Sequence, residues 1–455
     1  MLHKFILNIN PSTGEVIEKI KCSSFNEIAS SLKLARKAFK NWSETSLKAK
    51  VNCFLKIKKD LLKEKKNLAE LVTLEMGKPM KDSIKEIEDA IRKMEFLISI
   101  VKDAFEPVTK KHQNLISVIH YNPIGIAAII TPFNYPVATP QTLLSNSILA
   151  GNCVIFKPSE ITPLTGNLLY SIYNNNLPKG VINIIQGSDE VFDYLINSEI
   201  DLIGFTGTLK FGKRILNASA RKLIRVILEL GGKDPMVVCK DADITKAAEF
   251  AVNNSFSNSG QDCISVERIY VVTEIYRKFL DVILKKAKEI KCGDPRGNVH
   301  IGPLATESIR NVVYNQIEEA KRKGAKILLG GTKPDMKGYY IMPTVISEVG
   351  DKMEIMTIET FGPVICVQEV SDIEEAITKS NNTQYGLGAT VWTRNLKKGI
   401  EISGKIQAGM VGINGSVRGV PGTPWIGIKQ SGYNYTGSVE GLRNFTNIKK
   451  ISYEK

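Results

Sequence analysis

Apolar residues along this chain fall into two rhythms. From about Ser24 to Ala104, Leu, Ile, Phe and Ala recur at three- and four-residue spacing, which predicts helix, interrupted at Gly77-Lys78-Pro79. Ahead of it, Asn10-Pro11-Ser12-Thr13-Gly14 predicts a turn between two short strands. Leu115 to Tyr121 has strand composition and ends at Asn122-Pro123. Short apolar runs then alternate with helical stretches. Ile126–Ile130, Cys153–Phe156, Ile182–Ile185 and Leu202–Phe205 are the runs, with helices to about Ala150 and near Thr165–Tyr173. After Gly231-Gly232 the alternation resumes with Met236–Cys239, a helix over Ile244–Phe256 and a strand over Arg268–Val272. Strands separated by helices imply parallel sheets with crossover connections, so the fold class is α/β. The stretch Tyr433–Lys455 reads as a tail with strand character at its end.

Composition fits this picture. The 455 residues are 43% hydrophobic and 24% charged, enough for a large core and for more than one domain. The net charge is +14, but the basic residues are dispersed and lack aromatic interleaving. The densest cluster, Lys56, Lys58, Lys59, Lys63, Lys65 and Lys66, accompanies Phe54, Leu55, Leu61 and Leu62 and reads as the wet face of an amphipathic helix. No nucleic-acid or membrane partner is expected. Seven cysteines without a C-x-x-C pair and four histidines without ligand spacing argue against a disulfide framework and against a metal site. No run approaches the roughly 18 apolar residues of a membrane span, and the N-terminus lacks a signal-peptide core, so the chain is expected to be cytoplasmic.

The chemistry is not announced by the commonest nucleotide motifs. G-x-G-x-x-G is absent, because Gly386-Leu387-Gly388 is followed by Val391 where the third glycine belongs. Gly207-Thr208-Leu209-Lys210-Phe211-Gly212-Lys213 matches a phosphate loop until Arg214 replaces the Mg²⁺-binding hydroxyl. Two segments stand out instead. Glu229 interrupts the apolar run Val226–Leu230, where a carboxylate is costly unless it is paired or used. Cys263 lies in Ser259-Gly260-Gln261-Asp262-Cys263-Ile264-Ser265, among mostly small and polar residues. A lone cysteine is ordinarily a small buried hydrophobe, and it is the surroundings of this one that make it a candidate nucleophile.

With these segments in place, the chain resembles the aldehyde dehydrogenase superfamily over nearly its whole length. The resemblance is carried, in order, by Thr131-Pro132-Phe133-Asn134-Tyr135-Pro136, Phe156-Lys157-Pro158-Ser159-Glu160, Phe205-Thr206-Gly207-Thr208, Glu229-Leu230-Gly231-Gly232-Lys233, Gly260-Gln261-Asp262-Cys263 and Glu359-Thr360-Phe361-Gly362-Pro363. It implies that an aldehyde is oxidised to a carboxylic acid with NAD(P)+, through a thiohemiacetal and a thioester on Cys263. Asn134 and the Cys263 amide are implied as oxyanion donors, and Glu229 as general base. The thiol's surroundings are expected to favour its ionised form.

The implied cofactor set is Thr131, Pro132, Phe133, Lys157, Ser159, Glu160, Gly187, Thr206, Gly207, Thr208, Leu230, Glu359 and Phe361. Glu160 disfavours a 2′-phosphate, which leans the choice from NADP toward NAD. For the substrate, Asp262 suits a cation, whereas Arg418 suits a carboxylate. Similarity of the ends of the chain to succinate-semialdehyde dehydrogenases makes a small semialdehyde the leading expectation. An aminoaldehyde or glyceraldehyde is the alternative, and a cofactor-independent thiol hydrolase the remote one. Pro424-Trp425-Ile426-Gly427 and Tyr433–Gly437 depart from the family pattern near the substrate mouth. The implied architecture is a cofactor domain split over residues 1–105 and 124–232, a catalytic domain over 233–420, and an oligomerisation element from 106–123 and 433–455. A homodimer or homotetramer is expected.

Overall fold

The computed structural model describes residues 4–455. The strands Ile126–Ile130, Cys153–Lys157 and Leu202–Thr206 are buried along their whole length, which is why each reads as a continuous apolar run instead of an alternation. With Ile182–Ile184 and Arg225–Glu229 they form a parallel sheet, closed at one edge by the antiparallel Gly432–Tyr433. The chain starts this sheet in the middle, at Ile126–Ile130. It moves out to Cys153–Lys157 and Ile182–Ile184, then returns to Leu202–Thr206 on the other side. The crevice between the carboxyl ends of Ile126–Ile130 and Leu202–Thr206 is therefore a topological switch point.

A second sheet of seven strands runs Lys326–Leu329, Thr344–Ser347, Val364–Val370, Val266–Val272, Asp234–Val238, Gly388–Trp392, Met410–Ile413. All its neighbours are parallel except Lys326–Leu329, which is antiparallel to Thr344–Ser347. Apolar residues on the two faces of this sheet make two further cores. A three-stranded antiparallel sheet joins Thr446–Glu454 to Leu115–Pro123 and Val108–His112.

The long helical stretch divides into Phe25–Trp42, Leu47–Lys63, Lys65–Met76 and Met80–Phe105. The predicted interruption at Gly77-Lys78-Pro79 is one of its breaks, with Gly77 as a left-handed cap at φ 79°. Another comes at a cap that the apolar rhythm does not register, where the Ser46 side chain accepts from the Ala49 amide, while the third, at Glu64, has no side-chain cap. Ser24 and Glu27 form a capping box where the stretch begins. In Leu47–Lys63 the buried stripe is Phe54, Ile57 and Leu61, whereas Leu55 and Leu62 share the exposed side with the lysines. The apolar set of that helix is corrected accordingly: only the three- and four-residue spacing from Phe54 reaches the core.

The tail is not one extended piece. Gly432–Tyr433 pairs with Arg225–Glu229, and a short helix Val439–Arg443 follows. Leu442 and Phe445 are buried in the core of the first sheet before Thr446–Glu454 runs out along Leu115–Pro123. No helix among the described residues is long and apolar enough to cross a membrane.

Candidate active site

The two large sheets meet end to end in function. Thr131, Lys157, Gly187, Thr206 and Glu229 stand at or just past the carboxyl ends of the first sheet's strands. Gly232, Cys263 and Phe361 precede the strands Asp234–Val238, Val266–Val272 and Val364–Val370 of the second. Parallel strands thus deliver residues far apart in sequence to one place.

Cys263 follows a turn of unusual backbone. Asn258, Ser259 and Gly260 all have positive φ, at 51°, 57° and 73°. Such conformations are strained for Asn and Ser and persist only where the surroundings enforce them. Here Asn258 Nδ2 donates to the Asn134 carbonyl at 3.1 Å, Ser259 Oγ donates to the Gly302 carbonyl at 2.9 Å, and Gln261 Oε1 accepts from the Ala305 amide at 2.9 Å. A Cβ at Gly260 would stand 2.0 Å from the Gly362 carbonyl oxygen. Gly260→Ala is therefore expected to cost about 2–4 kcal/mol of stability or to displace the Cys263 turn with loss of activity. Paired thermal melts and rate measurements check this, and a wild-type profile in both would refute the packing argument.

The Cys263 thiol is 3.6 Å from Glu229 Oε1 and 3.8 Å from Asp262 Oδ1. Burial pushes the thiol well above its ordinary range, and the carboxylates of Glu229, Asp262, Glu359 and Asp234 push it further. This corrects the expectation of a thiolate-favouring setting: the surroundings of Cys263 disfavour its ionised form, and Glu229 is the acid nearest its sulfur. Burial also raises Glu229, opposed in part by the Trp425 indole, Lys93 and Cys263 itself.

Asn134 is buried, and its Nδ2 donates to the Gln261 carbonyl at 3.1 Å, beside the Cys263 turn. Asp262 Oδ2 accepts from the Tyr135 hydroxyl at 2.6 Å and lies 3.9 Å from Arg418 Nη2. The two residues that suggest opposite substrate charges are therefore partners. Asp262 is the buried member, with 8% of its side chain exposed, and Arg418 the open one, with 53%. Both line a cavity of about 410 Å³ together with Glu229, Cys263, Tyr135 and Trp425. Lys93 and Phe96 of the helix Met80–Phe105 also face this cavity and were missed in the sequence. A charged residue on an amphipathic helix gives no sign of which cleft it borders. Trp425 did leave a signal, as a departure from the family pattern.

At the switch point, Thr131 Oγ1 and Thr206 Oγ1 are buried hydroxyls without a hydrogen-bond partner. Lys157 is buried, and its nearest carboxylate is Glu160, at 3.6 Å and partly exposed. Burial lowers the Lys157 pKa, while Glu160 opposes that shift. Unsatisfied donors at the carboxyl edge of a parallel sheet suit a polar ligand laid across it. Ser159 Oγ accepts from the Ile161 amide, and Gly187 sits at φ 148° with Val191 in the space of a Cβ. Gly207-Thr208 precede the helix Leu209–Ala220, and Leu230 packs beneath its Gly212. Arg214, which spoiled the phosphate-loop match, is held by Asp189 and Asp193. On the other wall, Glu359 Oε1 accepts from the Gly232 amide at 3.1 Å, and burial raises its pKa to about 8. The Phe361 ring meets Phe133 edge-on at 6.0 Å, so Pro132-Phe133 and Phe361 come together from the two halves of the site. A buried pair, Lys233 and Glu267, ties down Thr360 and Phe361 through their amides and the Thr360 hydroxyl.

A dinucleotide-type crevice opening onto a cysteine–glutamate pair defines a cysteine-dependent dehydrogenase class of site. The chain belongs to the aldehyde dehydrogenase family, whose model matches residues 3–451. It is an aldehyde dehydrogenase that uses NAD or NADP. Among its relatives is the peroxisomal aminoaldehyde dehydrogenase 1 of Pisum sativum, 34% identical across 99% of this chain and 93% of that protein. Another is the D-glyceraldehyde dehydrogenase (NADP(+)) of Picrophilus torridus, 32% identical across 98% of this chain and 92% of that protein. The crystal structure of the betaine aldehyde dehydrogenase of Staphylococcus aureus in complex with NAD+ superposes with a TM-score of 0.94. It is 30% identical, over 100% of this chain and 95% of that one.

Proposed function

We propose that this enzyme oxidises small aldehydes bearing a cationic amine, with Cys263 as nucleophile. The observation that carries the substrate reading is the Asp262 carboxylate, buried at the wall of the cavity beside Cys263. The relatives named for aminoaldehydes and betaine aldehyde support it, so the aminoaldehyde alternative is better supported than succinate semialdehyde. Arg418 occupies the place a substrate ammonium would take and yields it readily, being half exposed.

In the reaction, Glu229 takes the Cys263 proton across the 3.6 Å contact as sulfur bonds to the aldehyde carbon. The carbonyl oxygen becomes an oxyanion, which accepts from the Asn134 side-chain amide and the Cys263 backbone N–H. A nicotinamide held in the crevice would supply the hydride acceptor by which the adduct on Cys263 becomes a thioester. Glu229 gives the first proton up to solvent and, ionised again, removes a proton from water. The hydroxide adds to the thioester, the carbon–sulfur bond breaks to release the acid, and the departing Cys263 thiolate takes the proton back from Glu229. The unsatisfied Thr131 and Thr206 hydroxyls, with Pro132, Phe133, Lys157, Ser159, Gly187, Gly207, Thr208 and Leu230, suit the cofactor, and Glu359 and Phe361 suit its nicotinamide end. Glu160 beside Lys157 leans the choice to NAD. The exposed Ile448, Ile451 and Tyr453 on Thr446–Glu454 suit a contact between subunits.

The test is an aldehyde panel with both cofactors, followed by absorbance of the reduced nicotinamide. It includes an ω-aminoaldehyde, glyceraldehyde, succinate semialdehyde and a neutral aliphatic aldehyde. Asp262→Asn is expected to lower kcat/KM for the aminoaldehyde about tenfold or more relative to the neutral aldehyde, and Arg418→Ala to lower the aminoaldehyde KM. An unchanged ratio in Asp262→Asn, or a preference for succinate semialdehyde that Arg418→Ala abolishes, would reverse the assignment of charge.

A further inference from the structure

The cavity wall behind Asn134 contains a buried ion pair that the proposed reaction does not use. Lys78 and Glu86 each expose 1% of their side chains and contact each other directly. A buried pair of this kind is poor value for stability alone, because desolvation offsets the attraction. Its other contacts indicate a different use. Glu86 Oε1 accepts from the amides of Val137 and Ala138, at 2.9 and 3.1 Å. These begin the helix Ala138–Leu149, which has no side-chain cap of its own. Lys78 Nζ donates to the Asn134 carbonyl at 2.8 Å and lies 4.0 Å from the centre of the Tyr135 ring. The break at Gly77-Lys78-Pro79 is what frees Lys78 from its flanking helices to reach this turn.

We infer that Lys78 and Glu86 are positioning residues that clamp the Asn134 turn from both ends. Lys78 holds the main chain at the oxyanion donor, and Glu86 holds the chain just after it. Through Tyr135, whose hydroxyl reaches Asp262, the same clamp sets the pocket wall beside Cys263. This rests on the reading of Asn134 as an oxyanion donor. A donor displaced by about 1 Å loses on the order of 100-fold in rate.

The test compares the full-length enzyme with Lys78→Met/Glu86→Gln, which leaves no charge buried and keeps an acceptor for the two amides. We expect kcat/KM for the aldehyde to fall about 30-fold or more, with the cofactor KM and the melting temperature near wild type. In an Asn134→Ala background the same pair of changes is expected to cost less than about threefold, because the donor it positions is already gone. Lys78→Gln/Glu86→Gln restores an amide donor near the Asn134 carbonyl and is expected to recover part of the activity. It replaces the Met/Gln variant in both backgrounds should that one not fold. Wild-type kcat/KM in the double variant, or equal losses in both backgrounds, overturns the clamp while leaving Asn134 in its role. Full activity in Asn134→Ala alone overturns the oxyanion reading, and the clamp with it.

Discussion

Cys263→Ser is expected to lower aldehyde oxidation about 10⁴-fold or more, the largest effect of any single substitution in this chain. The proposed mechanism uses sulfur because a thiol gives up its proton to a nearby carboxylate far more readily than a hydroxyl does. In this site burial, with the acidic side chains of Glu229, Asp262, Glu359 and Asp234 nearby, pushes even the thiol above its ordinary range. A serine hydroxyl starts from a much higher pKa and cannot be deprotonated by Glu229 at neutral pH. The variant should still bind NAD or NADP, because no cofactor contact is altered, and fluorescence titration separates binding from chemistry. Full oxidation by Cys263→Ser would sink the mechanism. Hydrolysis of an activated ester by the wild type, with no nicotinamide reduced from any aldehyde, would instead favour the thiol hydrolase.

Glu229→Gln carries the second-largest expectation, a fall in kcat of about 10²–10⁴-fold. Its carboxyl faces the thiol at 3.6 Å, and in the proposed mechanism the same group serves two successive proton transfers, one from sulfur and, once it has shed that proton, one from water. The variant should therefore give no rapid burst of reduced nicotinamide near neutral pH. Raising the pH to ionise Cys263 directly is expected to restore the burst without restoring turnover, because hydrolysis still lacks its base. Stopped-flow absorbance distinguishes the two. The sign of the wild-type pH dependence follows from the raised pKa of Glu229. Only the ionised form accepts a proton, so activity rises with pH through a limb displaced above the usual carboxylate range. That limb should be absent from Glu229→Gln. A normal burst in the variant at neutral pH would show that another group activates Cys263.

Much of the site was legible because its residues sit in short contiguous segments with strict local requirements. The turn at Gly260 needs a residue without a Cβ two positions before Asp262, and Glu229 is conspicuous as a carboxylate in an apolar run. What stayed hidden depends on contacts between segments far apart. Asp262 and Arg418, 156 positions apart by subtraction of their numbers, looked like rival signals and are a charge pair. Cys263 looked as though it required a thiolate-stabilising environment, and the folded site surrounds it with acids. Lys78 read only as part of a helix break, yet it reaches Asn134.

From the sequence alone came the parallel α/β class and the succession of buried strands along the chain, both encoded locally by apolar runs of strand length. The expected roles of Cys263, Glu229 and Asn134 came from the resemblance of short ordered segments to a family. The tertiary structure decided which charges pair with each other, which way burial and nearby acids shift the Cys263 thiol, and which residues of the helix Met80–Phe105 border the cavity. Those properties belong to pairs of groups brought within a few ångströms by the packing of two sheets. Electrostatic and desolvation energies depend on distance and burial in space, and neither is written in the separation along the chain.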